Sequence, residues 1–255
     1  MKLKVIASVV FLMAVSHYVT GQEKSLMPPG YKVCSRSAPT QERNACLKES
    51  MTGLFALFKN GYPPLDVEVL DPYQLGTARF EYSTGPLSTR INMRNAIAHG
   101  ASKGQVKNIR SKVNDQNLHF EMDVYFPKLL TEADFKGRSV FNDVKVKSDG
   151  HVKLVIGDVS CTFKMYGKAR TDNPAFMNIT SFDMTNVQIQ KLKIDGTGFL
   201  PDPDANQFAI EFVNQNWREY YNSIVPSTKS SWEPIFLNLL NKVFDKVPFD
   251  QIMSK

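Results

Sequence analysis

The sequence predicts an α+β fold in which one long C-terminal helix packs against one extended antiparallel sheet, and three observations predict it. Phe208, Phe212, Val213, Trp217, Tyr220, Tyr221, Ile224 and Val225 fall on one helical face, and Ile235, Phe236, Leu239, Leu240, Val243 and Phe244 repeat the same spacing. This apolar stripe, at a period of about 3.6, runs across residues 206–247 and, if straight, would span roughly 60 Å. Upstream, Leu118, Phe120, Met122, Val124 and Phe126 alternate with His119, Glu121, Asp123 and Tyr125, the signature of a strand with one buried and one wet face. No helical run of comparable strength interrupts the strand signals. That disfavours βαβ units and leaves an antiparallel sheet with helices at the two ends.

Taken in order, residues 1–21 read as a secretory signal. Lys2 and Lys4 precede an apolar run across residues 5–15, and small residues at Val19 and Gly21 mark the cleavage site. The run is well short of the ~20 residues a membrane span needs, so residues 22–255 are expected as a single exported domain beginning at Gln22. Cys34 and Cys46 flank the start of a helical pattern formed by Cys46, Met51, Leu54, Phe55 and Phe58. In an oxidising compartment their short separation favours a disulfide, worth roughly 3 kcal/mol in the chain-entropy model. Neither a CxxC motif nor a nearby histidine supports redox or zinc chemistry there. Strand alternation recurs at residues 87–93, 159–165 and 182–184 and, after a phase break near Thr185, at residues 187–189. Turn signals lie at residues 83–86, 148–150 and 172–174. Cys161 alternates with Val159, Phe163 and Met165, which predicts a buried, inert thiol. Asp204 is the expected cap of the last helix, and Pro226 and Pro234 are expected to break or kink it.

With 42% hydrophobic and 22% charged residues, the 255-residue chain can bury a substantial core, which excludes disorder. The formal charge of +6 falls to +4 when Lys2 and Lys4 leave with the signal. It is spread along the chain, and no basic block points to nucleic acid. There is no Gly-x-Ser-x-Gly elbow, His-Glu-x-x-His, P-loop or Gly-x-Gly-x-x-Gly. His99, His119 and His151, the histidines beyond the signal, each read as a solvated strand or loop position. Asp202, Asp204 and Asn206 imitate the start of a calcium loop. Gln207 stands where glycine is needed and Val213 where glutamate should be, so no metal is expected. Asn178, Ile179 and Thr180 form a glycosylation sequon, usable if Asn178 faces outward and blocked if it lies in a tight ladder.

Several landmarks, in this order, resemble the takeout and juvenile hormone-binding protein family of insects. They are the signal peptide; Cys34 and Cys46 around the first helix; Gly61-Tyr62-Pro63-Pro64-Leu65-Asp66 followed by Asp71-Pro72; Asn214-Gln215-Asn216-Trp217; and the ending Val243-Phe244-Asp245-Lys246-Val247-Pro248-Phe249-Asp250. The resemblance implies a long, curved antiparallel sheet rolled around the long helix, similar to one half of the bactericidal/permeability-increasing protein, with an elongated apolar tunnel. It also implies a secreted, cofactor-free carrier of a hydrophobic small molecule in haemolymph or sensory lymph. In some members this is tied to circadian rhythm, feeding or chemosensation. The juvenile hormone-binding branch carries a second disulfide, for which Cys161 has no partner, so the chain looks closer to the takeout branch.

The ligand-lining residues expected on this reading are Phe120, Met122, Val124, Phe126, Phe163 and Met165 from strands, with Trp217, Tyr220, Tyr221, Trp232 and Phe236 from the helix. Either tyrosine could offer a hydroxyl to a ligand carbonyl. The expected partner is a hydrophobic small molecule such as a juvenile hormone-like terpenoid or another lipid, held by a monomer without stable membrane insertion. The alternatives are a membrane-contacting lipid-transfer module, disfavoured by weak charge and no basic amphipathic surface, and a lipid esterase built on His99, His119 or His151. The carrier reading involves no enzyme chemistry.

Overall fold

The alternation that begins at Leu118 does form a strand, and the strand is far longer than the alternation. In chain order the elements are β1 (Cys34–Ser35), α1 (Thr40–Leu57), β2 (Tyr73–Thr84), β3 (Leu87–His99), β4 (Gln105–Val113), β5 (Asn117–Phe141), β6 (Val144–Ala169), β7 (Met177–Gln188), β8 (Lys191–Thr197), α2 (Pro203–Phe244), α3 (Phe249–Ile252) and β9 (Met253–Ser254). The computed structural model describes residues 25–255, so the signal expected at residues 1–21 and the start at Gln22 lie outside the described residues. β5 and β6 have 25 and 26 residues and pair antiparallel from Asn117 and Lys168 to Phe141 and Val144. At about 3.3 Å per residue the hairpin is roughly 80 Å long.

Each strand of this hairpin changes partner along its length. At the near end β4 pairs with β5 and β7 with β6; at the far end β3 pairs with β5, β2 with β3, and β8 with β6. The result is a large antiparallel sheet with a C-terminal helix, the α+β arrangement the patterning predicts. The buried face also changes parity midway. On β5 the buried positions are Leu118, Phe120, Val124 and Phe126, then Ala133 and Phe135. The switch falls at Pro127, opposite Asp158, whose φ of 53° breaks the pleat and re-aims the residues after it. The phase break expected near Thr185 is real too, with Asn186 at φ 52° and a register shift between β6 and β7.

Three local expectations are corrected. Residues 148–150 lie inside β6 and do not turn. A Cβ on Gly150 would sit 1.9 Å from the Thr197 carbonyl oxygen, so this glycine serves a close backbone approach. The hairpin turns instead at Asn142 and Asp143, both with positive φ, as a two-residue turn of the I′ kind requires. The cap of α2 is Asp202, whose carboxylate accepts the Ala205 N–H at 2.8 Å with Pro203 following, and Asp204 sits in the first turn. Finally, α2 runs 42 residues through both Pro226 and Pro234, and its non-helical backbone is at Asn216 (φ −112°, ψ 17°). There the Asn216 side-chain amide donates to the Phe212 carbonyl at 2.8 Å, competing for the acceptor its own backbone needs. Beyond Pro234, contacts of Phe236, Leu237 and Leu240 with the sheet core hold the helix in place.

The near end is closed by the N-terminal region. Cys34 and Cys46 are bonded, tying β1 to α1, and β1 pairs parallel with β9. Thr52 accepts the Val106 N–H at 3.0 Å, fastening α1 to β4. The buried Arg36 guanidinium donates to Asp115, Asp250 and the Met253 carbonyl, so its charge is fully paired.

Candidate ligand-binding site

The candidate site is where the inner face of the sheet meets α2, and two asparagines fasten that helix to the sheet. Asn241 accepts the Ile179 N–H at 2.8 Å and donates to the Ile179 carbonyl at 3.0 Å. Asn214 does the same to Ile194 at 2.7 and 2.8 Å. Ile179 is on β7 and Ile194 on β8, both edge strands of the sheet, so α2 satisfies backbone groups that an uncovered edge would leave open. Asn206, at the start of α2, accepts the N–H groups of Phe199 and Leu200 and donates to the Gly196 carbonyl. Its amide is a staple in this fold.

The expected lining residues divide into groups along this space. Phe120, wholly buried, and Met165 belong to the near-end core with Leu47 and Cys34, and Met122 lies at its margin. Val124, Phe126 and Phe163 gather instead with Phe182, and Phe236 of α2 closes over them. The Phe163 ring lies 6.5 Å from Phe126, 5.2 Å from Phe182 and 5.7 Å from Phe236, while Phe182 and Phe236 stack at 4.8 Å. Phe55 of α1 meets Phe126 edge-on at 5.6 Å and stands between this cluster and the near end. Further along α2, Trp217 is 8% exposed and meets Tyr221 edge-on at 6.1 Å. The Tyr221 hydroxyl donates to the Val187 carbonyl at 3.4 Å, and burial raises its pKa above the ordinary value. The side chains of Tyr220 and Trp232 lie outside the described residues.

Beyond the Pro127 switch the apolar face continues. Leu129 pairs with Ile156, and Ile156 with Leu192; Leu154 pairs with Ile194, all on the inner face and all half-buried. Met184, Val187 and Ile189 of β7 and its continuation pack against the same aromatic cluster. At the far end Phe135 stacks on Phe199 at 4.8 Å. Of these, Leu129, Leu154, Ile156 and Phe135 are absent from the expected set because the parity change interrupts the alternation, and Leu192 and Ile194 because the short alternation of β8 is not among the strand signals. Phe182 and Met184 carried a visible period-two signal as a strand, without indicating which face it buried.

Cys161 packs within the aromatic cluster, whereas His119 and His151 lie on the opposite face of the sheet. Cys161 is 5% exposed and burial pushes its thiol up to about 12, with nearby Asp123 adding to the effect, so it is not a nucleophile at neutral pH. His119 stacks on Tyr166 at 4.2 Å, and His151 meets Asp134 at 3.1 Å on the solvent face. Since Asp134 is fifteen residues along β5 from His119, those two pairs stand about 50 Å apart and share no site. Among the described residues, no group of three His, Cys, Asp or Glu side chains could hold a metal ion. No helix among them is long and apolar enough to cross a membrane. Asn178 is exposed on edge strand β7, beside Lys168 of β6.

A family model described as haemolymph juvenile hormone binding protein (JHBP) matches residues 8–254. The circadian clock-controlled protein daywake of Drosophila yakuba is 20% identical over 226 residues, covering 84% of this chain and 85% of that protein. Its Drosophila melanogaster namesake is 20% identical over 219 residues, covering 83% and 84%. Among solved structures, Takeout 1 of Epiphyas postvittana superposes with a TM-score of 0.68 at 16% identity, covering 88% of this chain and 100% of that one, a likeness of fold. The family model spans nearly the whole sequence, and the chain belongs to the haemolymph juvenile hormone binding protein family.

Proposed function

We propose that this family member is a secreted carrier for a hydrophobic small molecule, a terpenoid of the juvenile hormone kind or another lipid of similar size. The ligand lies between the inner face of the sheet and α2, on the far side of the Phe126, Phe163, Phe182 and Phe236 cluster. One observation supports this most: a contiguous row of half-buried apolar residues, Leu129, Leu154, Ile156, Leu192 and Ile194, inside the fold. Apolar surface left partly open in a shielded space gains most when a ligand completes its burial. Removing ~400 Å² of ligand and lining surface from water at about 25 cal/mol per Å² supplies roughly 10 kcal/mol, from which the cost of association is subtracted. Phe and Met side chains adapt to the ligand's shape. Transport by burial needs no bond to be made or broken.

Export rests on the signal pattern at residues 1–21, the disulfide, and the family's haemolymph members. The exposed sequon at Asn178 fits a glycan on the secreted protein, which acts as a monomer. The clock-controlled daywake relatives support a role tied to daily rhythm, feeding or chemosensation. The test is displacement of a bound hydrophobic fluorophore, N-phenyl-1-naphthylamine, by terpenoid and fatty ligands. Ile156→Trp, which fills the half-buried row, is expected to weaken uptake at least about tenfold, equivalent to 1.4 kcal/mol, while leaving the melting temperature within a few degrees. Fluorophore uptake unchanged in Ile156→Trp would refute this placement, and no uptake by the native protein would refute the carrier.

A further inference from the structure

The sheet's solvent face at the far end carries a charge pattern that no single segment of the sequence shows. Arg90 of β3 pairs across the sheet with Arg138 of β5, and Arg138 with Lys147 of β6, so three cations lie in one row on three neighbouring strands. Two positions on along β3, the next row on the same face is Asn92, Lys136 and Asp149. With Arg79 of β2, Gly137 and Ser148, these residues line an open concavity of about 590 Å³. Glu81 is shared between Arg79 and Arg90, at 2.5 and 2.7 Å, and Asp149 takes Lys136 at 2.8 Å. Arg138 and Lys147 have no anionic partner among the described residues. Five cations against two carboxylates leave the concavity at +3, and like charges directly opposite in a sheet are destabilising. Next to it the hairpin turns at Asn142 and Asp143, and Lys145, two positions from Lys147, adds a cation on the same face. Asp143 is the one acid of that turn.

We propose that this face docks the protein on an anionic lipid surface, the cations of the concavity taking the phosphate groups of the headgroups. Charge complementarity argues for the occupant. A row of three cations, two of them without a carboxylate partner among the described residues, fits a surface of closely spaced phosphates. Docking deepens the carrier reading, because a hydrophobic cargo is most concentrated in a bilayer. It rests on that reading for its purpose alone, since docking can be measured with or without cargo.

The experiment is flotation of the secreted protein with vesicles of phosphatidylcholine alone or of phosphatidylcholine with phosphatidylserine. Native protein is expected to float with the serine-containing vesicles, to stay behind with the neutral ones, and to be released by added salt. At about a fivefold loss for each cation removed near the surface, the Arg138→Gln, Lys147→Gln double variant should bind at least ~20-fold more weakly. A control losing two charges elsewhere, Lys59→Gln with Lys112→Gln, should float like the native protein. Because the test variant relieves like-charge repulsion at exposed sites, it should melt no lower than the native protein, so lost flotation would not reflect lost folding. Equal flotation with neutral vesicles, retained flotation in the test variant, equal loss in the control, or binding to soluble polyanions without vesicles would each overturn the proposal. Fluorophore uptake is read on the same samples. If uptake survives in the double variant while flotation is lost, the two readings hold separately; flotation without uptake would leave docking standing and remove the carrier.

Discussion

Replacing Asn241 by alanine removes the two hydrogen bonds that seat the C-terminal half of α2 on β7, and the structure sets the size of the effect. Ile179, whose N–H and carbonyl are both served by Asn241, is 2% exposed, so water cannot take over. Losing two bonds at about 1 kcal/mol net, with a further cost for leaving buried groups unmet, gives roughly 2–4 kcal/mol. Asn214→Ala removes the same pair of bonds from Ile194, which is less buried than Ile179, so that water at the sheet edge can replace them there. Its expected cost is about 1 kcal/mol. The assay is equilibrium unfolding in urea followed by circular dichroism, comparing midpoints at unchanged slope. The two sites lie 27 residues apart on one helix, about 40 Å, so the double variant should show additive losses. An Asn241→Ala loss below about 0.5 kcal/mol, or an Asn214→Ala loss at least as large, would refute the idea that these amides replace missing edge-strand partners.

Cys161 should resist iodoacetamide in the native protein at pH 8 and react once the protein is unfolded in urea; native labelling at the rate of a free thiol would contradict its burial and raised pKa. Tyr31, whose hydroxyl donates to the Ile252 carbonyl at 2.9 Å, is pushed by burial from 10.0 up to about 12, with Ser50 opposing the shift. The folded state therefore favours the neutral phenol. The stability this gives is intact below pH 10 and is lost as pH rises from 10 towards 12, so Tyr31→Phe should flatten the alkaline fall in stability over that window. An unchanged slope, measured by urea unfolding across that range, would count against the assignment.

Patterns that lie within one element were legible in the sequence, and patterns that depend on pairing were not. The alternation from Leu118 to Phe126 and the long stripe of α2 each declare an element, since one side of each is covered by apolar neighbours. The far half of β5 and β6 was hidden because the parity change at Pro127 and Asp158 breaks the alternation, and because Gly150 reads as a turn until the carbonyl of Thr197 is placed beside it. The helix bend was misplaced for a similar reason: prolines signal a break locally, whereas the competing hydrogen bond of Asn216 needs the helix to exist first. Of the expected lining, Phe126, Phe163 and Phe236 meet around one cluster. The half-buried row beyond them emerges only from the register of three strands. The basic face is the clearest case, since Arg79, Arg90, Arg138 and Lys147 are distant in sequence and become one surface only through β-pairing, against the expectation that no such surface exists.

The most direct test of the carrier account is native mass spectrometry, with lipid extraction, of the protein secreted from insect cells without refolding. The account predicts a single apolar adduct at one per chain, lost or diminished in Ile156→Trp. A protein that emerges empty and takes up no hydrophobic fluorophore would contradict it, and would mean that the space between sheet and helix is filled by the protein's own side chains.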